Sequence, residues 1–126
     1  MTDNEIPIGA IRQRLQQFVA SRQWEQYHSP KNLAISIAIE AAELMEHFQW
    51  STTDGSQHIA HNATTRSQIA DELADILIYC LHFANATDID ISSAIATKLA
   101  QNETRFPTGF VPRSADASDH HRTEHS

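Results

Sequence analysis

The chain has 126 residues and a formal net charge of −7 at pH 7. This length fits a single domain with a core of its own, although one small enough to gain stability from oligomerisation. The acidic balance argues against binding to long nucleic-acid polymers, and no apolar run reaches the length of a membrane span. The single cysteine, Cys80, has no disulfide partner, and the N-terminus lacks the pattern of a secretory signal. We therefore expect a cytoplasmic protein.

Apolar residues repeat at helical spacing near the N-terminus and predict a first helix from about Pro7 to Ser21. The connector that follows places Trp24, Tyr27 and His28 within five residues. Such a cluster packs as a plug in small domains, and it also offers a wall on which a planar base could stack. Both interpretations of the connector stay open.

Ser29 followed by Pro30 is a favourable helix start, with the serine as N-cap and the proline at the first helical position. The second helix is predicted to run to about Gln49. From Ser51 to Ala63 the chain is polar, shows no clear periodicity and contains an Asp-Gly-Ser turn signal. This stretch predicts a mobile loop.

Thr65 and Gln68 form a capping-box pattern, which predicts the start of a third helix that continues to Ala84. This helix is apolar nearly all round, so we expect it to be central or covered by a partner subunit. Asp88 or Asp90 is expected to cap a fourth helix. The predicted core face of that helix holds Ile91, Ile95 and Leu99.

Pro107 is expected to end the fourth helix. Residues 1–113 then form the predicted domain. Residues 114–126 are rich in Ser, Asp and His, with almost no apolar side chains, and predict a disordered tail.

Two pairs of acids lie inside these apolar helical patterns, Glu40 with Glu43 and Glu72 with Asp75. A spacing of three residues places both members of a pair on one helix face, and packing of the two helices would let the pairs converge. Ionised acids in apolar surroundings need a counter-charge, and no matching set of Lys or Arg lies nearby. Carboxylate oxygens suit Mg²⁺, or alternatively Mn²⁺, better than zinc. The ordinary alternative is solvated surface charge.

A polar column on the fourth helix holds Lys98, Asn102 and Arg105 at positions i, i+4 and i+7. Taken alone, the column is typical of a solvated helix face. Beside an acidic metal site, it would be a set of phosphate contacts.

Four blocks follow one another in the sequence: Trp24-Glu25-Gln26-Tyr27-His28-x-Pro30-Lys31-Asn32-Leu33, Glu40-x-x-Glu43-x-x-Glu46 ending in Phe48-Gln49-Trp50, Glu72-Leu73-Ala74-Asp75 with Tyr79, and Lys98-x-x-x-Asn102-x-x-Arg105-Phe106-Pro107. In this order and at this spacing, they resemble the all-α nucleoside triphosphate pyrophosphohydrolases of the MazG-like superfamily, most closely the dCTP pyrophosphatases. The resemblance covers roughly residues 7 to 107.

The resemblance implies an all-α, four-helix bundle that assembles as a homodimer or homotetramer, with Mg²⁺ held by Glu40, Glu43, Glu72 and Asp75. It implies hydrolysis of dCTP or a related triphosphate to a nucleoside monophosphate and pyrophosphate, as a means of cleaning or balancing the nucleotide pool. Glu43 or Glu46 would accept the proton of the attacking water. The substrate-binding residues that it implies are Trp24, His28, Lys31, Asn32, Trp50, Tyr79, Lys98, Asn102 and Arg105.

One position departs from the family pattern. This sequence has Leu15 where the resemblance to the eukaryotic dCTP-preferring members implies a histidine. Preference for cytosine is therefore less firmly implied than triphosphate hydrolysis. Two other functions fit parts of the sequence. A di-iron carboxylate bundle would need Glu-x-x-His on two helices, which neither acidic pair provides. A helical interaction module would use the acids only for solubility, and Mg²⁺ would not stabilise it.

Overall fold

The structure, a computed structural model, describes residues 1–112, so the predicted tail at 114–126 lies outside the described residues. No strand occurs in this part of the chain, and the predicted all-α class is confirmed. A short 3₁₀ turn at Glu25–Tyr27 follows the first helix. The α-helices are α1 (Ile8–Ser21), α2 (Pro30–Glu46), α3 (Thr53–His61), α4 (Ala63–Thr87) and α5 (Ile91–Arg105).

The chain divides into two compact units, Met1–Ser92 and the part from Ser93 onwards. In the first unit α4 contacts α1, α2 and α3, and its contact with α2 is the most extensive. The long apolar helix is thus central to this unit. Within residues 1–112 the buried apolar core is small and consists of Val19, Leu33 and Ala84.

The start of α2 confirms the predicted cap. The Ser29 hydroxyl oxygen accepts the backbone N–H of Asn32 at 3.1 Å, and Pro30 occupies the first helical position. The helix ends at Glu46, three residues before the predicted end at Gln49. The chain then continues in turns through Trp50, so the aromatic residues at 48 and 50 follow the helix rather than belong to it.

A pair of hydrogen bonds joins α1 to α4. Arg12 Nε donates to Asn85 Oδ1 at 2.8 Å, and Asn85 Nδ2 donates to the Arg12 carbonyl at 3.1 Å. Because both bonds are partly shielded from water, they fix the register of α1 on α4 and the orientation of the Asn85 amide.

The stretch from 51 to 63, predicted to be a mobile loop, contains α3 instead. The Thr52 hydroxyl accepts the N–H of Gly55 at 2.9 Å and acts as N-cap. The Asp54-Gly55-Ser56 turn signal therefore lies in the first two turns of a helix. A helix of only nine residues, packed on α4 along one side, shows too short a periodic pattern to be recognised from the sequence.

The predicted capping box at Thr65 is also wrong, because α4 begins two residues earlier. Asn62 ends α3 and caps α4, accepting from the N–H groups of Thr64 and Thr65. The Thr65 hydroxyl instead donates to the carbonyl of Ile59 in α3. With a single residue between two helices, that residue must serve both ends.

Of the two aspartates predicted to cap the next helix, Asp88 ends α4 in the left-handed conformation, with φ of 56°. Asp90 directly precedes α5. The helix stops at Arg105, as predicted, and Gly109 with φ of 94° forms a turn in which the Phe110 N–H donates to the Pro107 carbonyl. The predicted core residues Ile95 and Leu99 are exposed in this chain.

Cys80 is a free thiol and half-buried on α4, rather than part of the fully buried core. None of the helices within residues 1–112 combines the length and the apolar character needed to cross a bilayer. The domain extent predicted from the sequence, residues 1–113, stays a prediction.

Candidate active site

Four carboxylates meet where α2 packs on α4, and we name Glu40, Glu43, Glu72 and Asp75 the acidic cluster. One carboxylate oxygen each from Glu40, Glu43 and Glu72 lies within 4.8 Å of the other two, and these side chains are half-buried. Asp75 lies within hydrogen-bonding reach of Glu40. The structure therefore brings together the two acidic pairs singled out in the sequence.

Burial and mutual repulsion both raise the pKa of carboxyl groups in the acidic cluster. Burial raises the pKa of the Glu40 carboxyl, and the charges of Glu43 and Asp75 raise it further. Burial also raises the pKa of Glu72, with Glu43 adding to the effect and the His47 imidazole opposing it. Among residues 1–112, none of the four acids forms a salt bridge with Lys or Arg. The cluster thus concentrates negative charge with no basic side chain paired to it.

A divalent cation fits this arrangement. Carboxylate oxygens from facing helices are the hard ligands that Mg²⁺ and Mn²⁺ prefer. A bound dication would also remove the repulsion that raises the two pKa values. Glu40, Glu43 and Glu72 supply the closest set of oxygen donors, with Asp75 beside them.

We expect Glu40→Gln to stabilise the metal-free protein at neutral pH. A carboxyl whose pKa is raised in the folded state favours folding below its ordinary pKa, and this contribution is lost as the pH rises through the folded value. At pH 7 the ionised Glu40 therefore opposes folding, and the amide removes that cost. The measurement is the melting temperature of both proteins in EDTA at pH 7 and at about pH 4.

The advantage of Glu40→Gln should be largest at pH 7 and should shrink at the lower pH. A variant that melts below the wild type at pH 7 in EDTA would show that Glu40 is not under repulsion in the folded chain.

Glu46, the second candidate for proton acceptor, lies outside the group of three close carboxylates. It is the last residue of α2 and is exposed. Glu43, in contrast, belongs to that group, and its charge, like that of Asp75, raises the pKa of both Glu40 and Glu72. The geometry therefore favours Glu43 for a role at the acidic cluster.

The aromatic connector holds two of the predicted base-binding residues in separate contacts. Trp24 packs edge-on against Phe18 of α1, with ring centroids 5.6 Å apart. His28 packs edge-on against His82 of α4, with centroids 4.6 Å apart. The connector is thus attached to both α1 and α4, as a packing element would be, and His28 and His82 also line a cavity.

The other predicted substrate residues of the first unit differ in their surroundings. The Asn32 amide donates to the Tyr27 carbonyl at 3.3 Å and so helps to hold the connector, while Lys31 is exposed. Tyr79 is half-buried on α4, one turn beyond the acidic cluster. Trp50 is 90% exposed. To enclose a base, its ring would have to be held in place by a further protein surface.

Lys98, Asn102 and Arg105 all lie on α5, at the helical spacing predicted. Asn102 is half-buried, and the Arg105 guanidinium lies 5.1 Å from the centre of the Phe106 ring. Their proposed contacts with phosphate stay predictions.

Two histidines of the first unit were not predicted from the sequence. His47 lies one turn after Glu43, and its imidazole opposes the rise in the pKa of Glu72. His82 is buried on α4, seven residues after Asp75 and three after Tyr79. This spacing places His82 on the same helix face as Asp75, so an extension of the acidic column by one turn could have found it.

Comparison with known proteins agrees with the geometry. The model of the MazG-like family matches residues 35–109. The dCTP pyrophosphatase 1 of Bos taurus is 36% identical over 112 residues, covering 89% of this chain and 66% of that protein. The human dCTP pyrophosphatase 1 is 35% identical over 105 residues, covering 83% of this chain and 62% of that protein. The chain thus spans just under two thirds of the length of these curated relatives.

A solved structure shows the same fold. The crystal structure of a pyrophosphatase from Archaeoglobus fulgidus matches with a TM-score of 0.76 and 34% identity, covering 86% of this chain and 99% of that one. The family match includes α4 and most of α2, the helices that carry the acidic cluster. Together, the helical architecture, the acidic cluster and these similarities show that the chain belongs to the MazG-like family.

Proposed function

We propose that this protein is a nucleoside triphosphate pyrophosphohydrolase that converts dCTP, or a modified dCTP, to the nucleoside monophosphate and pyrophosphate. The observation that carries the proposal is the acidic cluster, in a chain similar to proteins called dCTP pyrophosphatase 1. Such an enzyme would serve to clean or balance the nucleotide pool.

Mg²⁺ is the proposed metal, with Mn²⁺ as a possible substitute, and Glu40, Glu43, Glu72 and Asp75 are its proposed ligands. When bound, the metal supplies charge neutralisation at the phosphates and lowers the pKa of a coordinated water. Three half-buried carboxylates on two packed helices would hold their oxygens in fixed positions, because backbone hydrogen bonds and helix packing limit their movement.

The side chains of this chain divide the remaining work. Glu43 accepts the proton of the water that attacks the α-phosphorus, which releases pyrophosphate as the leaving group. Tyr79 lines the pocket beside the cluster. The proposed phosphate- or sugar-binding residues are Lys98, Asn102 and Arg105, and the proposed base-binding residues are Trp24, His28 and Trp50. Lys31 and Asn32 are proposed as further substrate-binding residues.

We also propose that the protein forms a homodimer or homotetramer. Large apolar side chains are exposed on both α2 and α4, including Ile35 and Ile39 on one helix and Leu73 and Leu77 on the other. The members of each pair are four residues apart and therefore share a face. Exposed apolar rows of this kind on a helix are typical of a protein interface.

Replacing Leu77 with Glu should dissociate the oligomer, because the charge would be buried without a partner in the interface. Light scattering coupled to size exclusion measures the mass of each variant. Gln68→Glu, which adds the same charge at an exposed polar position of α4, is the matched control and should keep the wild-type mass. A wild-type protein that is monomeric at micromolar concentration would contradict the proposed assembly.

A panel of canonical and 5-modified deoxynucleoside and ribonucleoside triphosphates tests the substrate. Pyrophosphate release is measured for each compound in Mg²⁺, and the expected result is the highest kcat/KM for dCTP or a 5-modified dCTP. A flat profile would remove the cytosine preference and leave triphosphate hydrolysis. No release from any compound by a folded protein would favour the helical interaction module.

A further inference from the structure

A cavity of about 440 Å³ lies in the first unit, between α1, the connector and α4. Val19 and Ala20 provide apolar wall, while Glu25 and His28 line it from the connector. Its volume lies in the range of small-molecule sites, which combine apolar walls with a few convergent polar groups. The cavity therefore has the size and lining of a ligand pocket.

His82 lines this cavity and is only 7% exposed. Its ring contacts the rings of His28 and Tyr79, at centroid distances of 4.6 and 6.2 Å. Yet no hydrogen bond to either ring nitrogen occurs among residues 1–112. Buried polar groups normally have a hydrogen-bond partner, so a buried imidazole with free nitrogens at a cavity wall points to a ligand.

Asn85, one turn further along α4, faces the same cavity with its amide already oriented. Its Oδ1 accepts from Arg12 and its Nδ2 donates to the Arg12 carbonyl. One N–H and one acceptor lone pair remain. Burial lowers the pKa of His82, and the charge of His28 lowers it further, so the imidazole is neutral at pH 7 and offers one donor and one acceptor.

The position of His82 relates the cavity to the acidic cluster. Seven residues of helix separate it from Asp75, a rise of about 10 Å along α4, and the two share a face. Tyr79 lies between them on that face. The sugar of a nucleotide can span this distance when the phosphates lie at the acids.

We propose that this cavity binds the nucleobase and that His82 and Asn85 hydrogen-bond its polar edge, with selection for a base that carries an exocyclic amino group. This inference rests on the function proposed above. The Glu25 carboxylate at the wall can only accept hydrogen bonds when ionised. An amino group can donate to it, whereas the carbonyl oxygen that replaces this group in uracil would face a second acceptor.

The test compares dCTP with dUTP, which differ at this edge of the base. We expect Glu25→Gln to lower the ratio of kcat/KM for dCTP over dUTP by about tenfold, because the amide can also donate to the carbonyl oxygen of uracil. His82→Leu should lower kcat/KM for both compounds, because the neutral imidazole can donate to either base or accept from it, and His82→Gln should retain more of that activity. His58→Leu, at an exposed histidine of α3, is the matched control.

An unchanged ratio in a folded Glu25→Gln, or unchanged kcat/KM values in a folded His82→Leu, would overturn the inference, while pyrophosphate release by the wild type would leave the proposed function standing. If no triphosphate is hydrolysed, the proposed function fails and binding still tests the cavity. For that purpose dCMP is added to the wild type in EDTA, and the imidazole ¹H–¹⁵N signals of His82 are followed by NMR. We expect them to shift while those of His58 do not. Unshifted His82 signals up to millimolar dCMP would overturn the inference.

Discussion

Replacing Glu43 with Gln is expected to lower kcat for pyrophosphate release by about 10²- to 10⁴-fold, the usual contribution of a general base. The amide keeps the shape of the side chain and loses both the negative charge and the ability to accept a proton. Glu43 is one of the three closest carboxylates, and its charge acts on both Glu40 and Glu72. Its replacement should therefore weaken metal binding as well as proton transfer.

The fold of Glu43→Gln should remain intact, because removing one of several repelling charges does not cost stability in the absence of metal. Far-ultraviolet circular dichroism and the melting temperature in EDTA check this point. Glu46→Gln separates the two candidate proton acceptors, and we expect it to lose less activity, since Glu46 is exposed and lies outside the close group. A larger loss with Glu46→Gln would move the acceptor role to Glu46.

Mg²⁺ is expected to raise the melting temperature of the wild-type protein. A ligand that binds only the folded state at 100 times its Kd stabilises by about 2.7 kcal/mol, on the order of 10 °C for a chain of this size. The ion would bind a cluster in which burial and like charges already raise the pKa values of two carboxyls. The unfolded chain has no such cluster, so the effect should be specific to the folded state.

Glu72→Gln should remove most of this shift, because it takes one of the three close carboxylates from the site. Asp71→Asn is a matched control that removes one charge from the neighbouring, exposed position of α4. Mg²⁺ should raise the melting temperature of Asp71→Asn by as much as it raises that of the wild type. Equal shifts in the two variants would mean that Mg²⁺ acts on general surface charge, as the helical interaction module would allow.

Much of the fold can be predicted from local sequence signals that act alone. The start of α2 depends on two local groups. The Ser29 hydroxyl caps the helix and the Pro30 ring occupies its first position, as the same residues do in isolated helices. The end of α5 before Pro107 has the same local origin. The pairing of the acids could be anticipated as well, because helical spacing alone places Glu40 beside Glu43.

The features that were missed depend on contacts between distant parts of the chain. The helix α3 is stable as a short element because it packs on α4, and its own sequence carries little periodicity. The start of α4 is fixed by Asn62 serving two helices, which a search for one cap per helix does not anticipate. The burial of His82 could not be predicted locally, because its ring packs against His28, a residue more than fifty positions earlier in the chain.

The most direct measurement is the product balance from dCTP incubated with the wild-type protein, first in Mg²⁺ and then with excess EDTA. Ion-exchange chromatography with phosphorus detection quantifies dCMP, dCDP, pyrophosphate and inorganic phosphate in one experiment. We expect dCMP and pyrophosphate in equal amounts with Mg²⁺ and neither product in EDTA. Formation of dCDP and phosphate, or turnover that persists in EDTA, would contradict it.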